Sequence, residues 1–321
     1  MKNTTNKIVV IGAGRVGMSF LYAATNQNLA KRYGIIDLNN EFAYGQKLDL
    51  EDGRGTTATD YIVESGGYEL LKDADLIVIT AGRGRKQGET RLDLAADNSK
   101  IMKSIADQVK ASGFDGITIV AANPVDVVTT VYQQITGFDA HKVISASCVL
   151  DTSRLKAELS KLVENVAPRD FGVYVIGEHG DSSVSTFSSA TLNGVPFSSL
   201  PDKYGLTEEK LAEVHETVWK KAYGIVERKG ATYYGIGMNL ADISRAVLRD
   251  EKRVLATGAL LSGEYGMEGT YAGIPCLIGK EGIIRTFEIN LSEVEKAQFI
   301  KSVSTLKKTT LIGLDAIKDL N

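Results

Sequence analysis

Two cysteines, Cys148 and Cys276, are too few for a disulfide framework, and both stand in apolar stretches. Buried free thiols in a reducing compartment are therefore expected, and the cytoplasm is the expected location. No run of about 18 apolar residues occurs, which argues against a membrane-spanning helix. Residues 1–7 are polar and lead straight into a strand-like run, so no secretory leader is expected. A net charge of -3 gives no general attraction to nucleic acid or to an anionic membrane. The chain has only three histidines, none suitably spaced with a cysteine for a metal, so no metal site is expected.

What is present suffices for two modest domains or one large one. Apolar residues make up 43% of the 321 positions, enough for a sizeable core, and the 24% of charged residues suit a soluble surface. The first half alternates short β-branched runs (7–11, 33–36, 61–64, 75–80, 117–122, 143–146) with helical stretches (16–28, 92–112, 125–136). That alternation predicts a doubly wound parallel α/β sheet, whose ligands bind at the carboxyl ends of the strands. The second half predicts an α+β domain. Helices are expected from near Asp151, over 207–228, 231–249 and 292–320, with strands at 171–176, 254–261, 274–279 and 283–289. The predicted division is 1–147 and 148–321, with no low-complexity linker between the halves.

The first strand runs into Gly12-Ala13-Gly14-Arg15-Val16-Gly17 and then a helix. Gly12 permits a tight turn, Gly14 lets the backbone approach a pyrophosphate, and Gly17 lets helix and strand pack closely. The helix N-terminus offers free N–H groups to phosphates. A second strand ends in Ile35-Ile36-Asp37, and Asp37 lies 20 residues past Gly17. A carboxylate there accepts hydrogen bonds from a ribose diol and repels a 2′-phosphate, so NAD is favoured over NADP. The bland alternative is an ordinary loop carboxylate.

The three histidines limit the search for an acid–base group working at neutral pH. His141 precedes a strand and reads as a surface residue. His215 lies in an amphipathic segment and reads as a solvated or packing residue. His179 sits in Gly177-Glu178-His179-Gly180-Asp181-Ser182, where flanking glycines suggest a tight turn that presents the ring. Local sequence leaves His179 either catalytic or structural.

Further segments extend the pattern: Leu48-Asp49-Leu50, Thr80-Ala81-Gly82, Gly88-Glu89-Thr90-Arg91-Leu92-Asp93-Leu94, Asn123-Pro124-Val125-Asp126, Val149-Leu150-Asp151-Thr152-Ser153-Arg154 and Lys229-Gly230-Ala231-Thr232-Tyr233-Tyr234-Gly235. With the glycine-rich turn, Asp37 and the His179 segment, they resemble the lactate/malate dehydrogenase family over essentially the whole chain. The resemblance implies an NAD-dependent L-2-hydroxyacid dehydrogenase, a small 2-oxo or 2-hydroxy acid as substrate, and a homotetramer or homodimer. It implies NAD contacts from Gly12, Gly14, Arg15, Val16, Gly17, Asp37, Tyr68, Thr80, Ala81, Gly82, Asn98, Ala121 and Asn123. It makes His179 the acid–base group and Asp151 its partner, although Asp151 alone reads as a helix N-cap. Arg154, locally a helix-face arginine, becomes the clamp on the substrate C1 carboxylate, where a guanidinium fork fits bidentately. Arg91, locally a surface partner, becomes the charge that polarises the reacting carbonyl. Asn123 bonds the substrate oxygen or the nicotinamide amide, and Thr232 lines the substrate pocket.

The resemblance makes 81–91 a lid that closes over substrate and carries Arg91 into place. Composition alone favours a solvated basic loop. Arg85 falls where the family reads the substrate side chain; lactate enzymes usually carry glutamine there and malate enzymes arginine. An arginine buried against a methyl group, without a partner, costs on the order of 3–5 kcal/mol. Arg85 therefore predicts oxaloacetate and L-malate, while the surrounding motifs look like the lactate branch. Gln87 replaces a usual proline, which bears on how the lid sits. Lys156 and Gly172 occupy the positions of a fructose 1,6-bisphosphate site, and glycine in place of histidine predicts weak or absent activation. Ala146 replaces a serine that contacts the nicotinamide amide, so a neighbouring serine or a water is expected to substitute. A metal-dependent NAD glycosidase is disfavoured by the scarcity of cysteine and histidine. A silent NAD sensor is disfavoured by the intact set Arg91, Asp151, Arg154 and His179.

Overall fold

A computed structural model describes residues 6–84, 91–200 and 204–320, with Arg91 described in its backbone alone. The first half contains β1 (Lys7–Ile11), α1 (Arg15–Asn26), β2 (Arg32–Ile36), α2 (Asn40–Asp52), β3 (Ile62–Ser65) and β4 (Leu76–Ile79). It continues with α3 (Arg91–Ala111), β5 (Ile117–Val120), α4 (Val125–Thr136) and β6 (Val143–Ser145). These six strands pair in parallel in the order β3-β2-β1-β4-β5-β6, the doubly wound arrangement that the alternation predicts.

The strands are apolar on both faces because helices cover both. Ile8, Val10, Ile35, Leu76, Val78 and Ile119 pack into one buried cluster with Phe20 and Leu21 of α1. The alternating residues Val9, Ile11, Ile77, Ile79 and Val120 pack into a second, with Met102, Ile105 and Val109 of α3 and Val128 and Val131 of α4. Helix α2 was not anticipated from periodicity. It buries only Ala43 and leaves Phe42, Tyr44 and Leu48 exposed, so its apolar residues trace no stripe. The legible signal was Asn39, whose side chain caps the helix by accepting from the Phe42 N–H at 3.0 Å.

The second half begins with α5 (Val149–Leu162) and the short strands β7 (Phe171–Gly172), β8 (Val175–Ile176), β9 (Val184–Ser185), β10 (Thr191–Leu192) and β11 (Val195–Pro196). Then come α6 (Glu208–Lys229), α7 (Tyr234–Leu248), β12 (Arg253–Ser262), β13 (Glu268–Gly279), β14 (Gly282–Thr286) and α8 (Glu293–Asp315). The single strand expected at 171–176 is two, because β7 pairs with β10 and β8 with β9. β12, β13 and β14 do not form a separate sheet. They extend the parallel sheet as an antiparallel flap, joined where Gly258 pairs with Ser145. The free edge of β6 is thereby covered, and its backbone groups find partners. Helix α7 crosses α1 so closely that a Cβ on Gly237 would stand 2.7 Å from the Ser19 carbonyl carbon. That crossing brings the α6–α7 loop, with Thr232, beside the glycine-rich turn.

Candidate active site

The glycine-rich turn joins β1 to α1. Gly12 has φ +106, which L side chains rarely adopt, and a Cβ there would stand 2.6 Å from the Ala81 nitrogen. Its N–H donates to the Ile36 carbonyl at 2.8 Å, and its carbonyl accepts from the Thr80 hydroxyl at 2.8 Å. Gly17 packs equally tightly, whereas Gly14 faces open space. The turn is thus closed against the sheet and open on the side where a pyrophosphate would approach. Asp37 ends β2. One carboxylate oxygen accepts from the Ala13 N–H at 2.8 Å, the other from the Asn39 N–H at 2.9 Å, which fixes the carboxylate beside the turn. This open cradle with an oriented carboxylate fits an adenosine diphosphate with a free ribose diol.

The other expected cofactor residues line the same sheet end with unequal freedom. Arg15 is exposed, and its guanidinium lies over the Tyr233 ring at 5.9 Å. Val16 and Ala121 are half-buried, and the Ala121 N–H is committed to Ile79. Ala81 likewise donates to Ile11, and a Cβ on Gly82 would press on Ala122 at 3.2 Å. Asn98 is buried and serves the protein: its amide accepts from the Arg83 N–H at 2.9 Å and donates to the Asn123 carbonyl at 2.5 Å. Tyr68 is half-buried past β3, and burial pushes its phenol up to about 12. Asn123 is exposed at the C-terminal side of β5, just before α4.

Asp151 is not an N-cap. Helix α5 starts at Val149, and Asp151 lies in its first turn, buried, with Arg154 one turn on. The His179 Nδ1 meets Asp151 Oδ2 at 2.5 Å, and the Arg154 guanidinium donates to Asp151 Oδ1 at 3.3 Å. The neighbouring carboxylate raises the pKa of His179 against the opposing effect of burial. Burial would raise the Asp151 carboxyl, but the His179 and Arg154 charges outweigh it and hold it below the usual range. Asp151 therefore stays ionised, fixes the ring tautomer and leaves Nε2 for chemistry. Arg154 is only 7% exposed, and Asp151 is its one ion-pair partner among the described residues. Among the described residues the rest of its fork has no ion-pair partner, which suits it to meet a carboxylate.

The His179 loop is held from three sides. Gly177 and Gly273 exchange backbone hydrogen bonds at 2.9 and 2.8 Å, the Glu178 N–H donates to the Ser302 hydroxyl at 2.9 Å, and Ser182 bonds both Glu178 and Ser302. The Val175 N–H donates to Thr152 Oγ1 at 2.9 Å, tying the strand before the loop to α5. Histidine and aspartate, 28 residues apart in sequence, are thus fixed against each other. The remaining histidines are occupied. His141 Nδ1 meets the Ile283 carbonyl at 2.6 Å, and His215 Nδ1 meets the Ser185 hydroxyl at 2.8 Å, where burial lowers its pKa. Thr232 is half-exposed in the α6–α7 loop. Arg85 and the rest of 85–90 lie outside the described residues, as does the side chain of Arg91.

One expectation needs correction. The serines beside Ala146 do not replace its missing hydroxyl: Ser145 and Ser147 both donate to the Asp126 carboxylate, at 2.7 and 3.1 Å, because their side chains turn into the core. Asp126 itself, named only as part of a motif, is 1% exposed and was missed. An aspartate in the first turn of a helix reads as a dipole partner, and nothing local reveals that it is buried.

A nucleotide cradle at the carboxyl ends of a parallel sheet, facing a carboxylate-backed histidine and a buried arginine, defines an NAD-dependent dehydrogenase of small 2-hydroxy acids. The family model described as "lactate/malate dehydrogenase, NAD binding domain" matches residues 6–145, and "lactate/malate dehydrogenase, alpha/beta C-terminal domain" matches residues 148–315. The chain belongs to the lactate/malate dehydrogenase family. It is 50% identical to an L-lactate dehydrogenase of Mesoplasma florum, over 99% of this chain and 100% of that one. It is 44% identical to an L-lactate dehydrogenase of Mycoplasma mobile, again over 99% and 100%. Among solved structures, it is similar to the minor L-lactate dehydrogenase of Enterococcus mundtii in its ligands-bound form, with TM-score 0.93, 41% identity, and 96% and 98% of the two chains covered.

Proposed function

We propose that the chain is an L-lactate dehydrogenase that reduces pyruvate with NADH and runs in reverse with L-lactate. The observation that carries the dehydrogenase chemistry of this reading is the single carboxylate of Asp151 joined to both His179 and Arg154. Arg154 receives the substrate C1 carboxylate and so orients the carbonyl. His179, as imidazolium, gives its Nε2 proton to the carbonyl oxygen, and Asp151 holds the other nitrogen. Arg91 polarises that oxygen, Asn123 bonds it or the nicotinamide amide, and Thr232 lines the pocket. The nicotinamide, when bound, supplies and accepts the hydride. Gly12, Gly14, Gly17 and Asp37 hold its adenosine end.

Substrate choice turns on Arg85. Taken alone it favours oxaloacetate, the second reading, because a second carboxylate would pair with it. The full-length relatives are named for lactate, which favours pyruvate. The deciding measurement is kcat/KM for pyruvate and oxaloacetate, in wild type and in Arg85→Gln. Preference for pyruvate in wild type supports lactate. An oxaloacetate preference that Arg85→Gln reverses would establish the malate reading instead.

The buried free thiols of Cys148 and Cys276 support a reducing cytoplasm. Exposed Tyr22, Phe42, Tyr234 and Met238 line one groove of about 790 Å³ between α1, α2 and α7, which supports a homodimer or homotetramer. Light scattering of the purified protein tests this, and a monomer at micromolar concentration would refute it.

A further inference from the structure

Asp126 ties together the two pieces of chain that carry Asn123 and Asp151. It stands in the first turn of α4, three residues after Asn123. Its carboxylate accepts from Ser145, the last residue of β6, and from Ser147, two residues before α5 begins. Ser147 holds φ +32, an uncommon conformation for a residue with a side chain. Space around the cluster is exhausted. A Cβ on Gly258 would lie 2.7 Å from Asp126 Oδ1 and 3.0 Å from the Ser147 Cβ. A Cβ on Gly273 would lie 2.9 Å from the Ser147 hydroxyl, and Gly273 is the residue that bridges to Gly177 at the head of the His179 loop. The cluster therefore shares one wall with both halves of the His179–Asp151 pair.

We propose that Asp126 is a positioning residue for proton transfer: through Ser145 and Ser147 it shapes the junction from which α5 presents Asp151 to the His179 ring. The proposal rests on the reading of His179 as the acid–base group. Burial pushes the Asp126 carboxyl up to about 7, against the two hydroxyl bonds and the His179 charge. Asp126 also favours the His179 imidazolium, but less than Asp151 does and less than burial and Arg154 oppose it. The charged or titratable groups facing Asp126 are His179 and Glu178 from the loop and Cys148 from the head of α5. Burial keeps the Cys148 thiol neutral, and Gly258 and Gly273 of the flap stand beside the cluster.

The test is the pH profile of kcat/KM for pyruvate reduction in wild type, Asp126→Asn and Ser147→Gly. Asp126→Asn removes the charge. Ser147→Gly removes the bond that ties Asp126 to the segment before α5. In both, the midpoint at which reduction is lost moves to lower pH. A shift of about half a unit gives an about threefold lower rate one unit above the wild-type midpoint. An unchanged midpoint, or an equal loss at every pH, overturns the proposal. If Asp126→Asn does not fold, Ser147→Gly decides alone. His179→Asn keeps the two questions apart: a retained rate there sinks the acid–base reading whatever Asp126 does.

Discussion

Asp151 uses one oxygen to hold His179 at 2.5 Å and the other to meet Arg154 at 3.3 Å, so the proton-transfer group and the carboxylate clamp share one anchor. A change at Asp151 is therefore felt by both. Asp151→Asn should lower kcat for pyruvate reduction by about two orders of magnitude or more, the usual share of a positioned acid–base group. Stopped-flow reduction of pyruvate measures this, and a loss under tenfold would contradict the shared role.

Arg154→Lys keeps the charge and discards the fork. KM for pyruvate should rise at least about tenfold, while NADH binding, followed by fluorescence, stays within about twofold. Equal weakening of both would place Arg154 in the general packing of α5.

The pH dependence follows from the raised pKa of His179. Reduction needs the imidazolium, so it is full below the folded pKa and lost as pH rises through it. Oxidation of L-lactate needs the neutral ring and gains over the same range. The common midpoint should lie above the ordinary imidazole value of about 6.5. A midpoint below that value would show that Asp151 does not act on the ring as its distance requires.

Asp37→Ala removes the carboxylate from beside the turn. KM for NADH should rise about tenfold, and discrimination against NADPH should weaken because the repulsion of its 2′-phosphate is gone. Unchanged cofactor kinetics would leave Asp37 only its bonds to Ala13 and Asn39.

Fructose 1,6-bisphosphate should not change the substrate KM by more than about twofold. Lys156 is half-buried over the Tyr174 ring, and burial with the nearby Arg253 charge lowers its pKa. Gly172 has no side chain to offer a phosphate, and a Cβ there would meet Thr191 Oγ1 at 2.4 Å. A large fall in KM on titration would reverse this expectation.

By itself the sequence determined the parallel sheet, the glycine-rich turn and Asp37. These are local: strand, turn, helix cap and the next strand end follow within about forty residues, and period and glycine placement encode them. It also singled out His179 as one of three histidines, and the family motifs pointed to Asp151 and Arg154. Tertiary structure alone brought Asp151 to His179 across 28 residues, joined β12 to β6 instead of closing a second sheet, and turned Ser145 and Ser147 onto a buried Asp126. Each depends on long-range packing that leaves no periodic trace. A buried carboxylate and a surface one look alike in sequence; only the walls around Asp126, down to the missing Cβ of Gly258, bury it and push its carboxyl up to about 7.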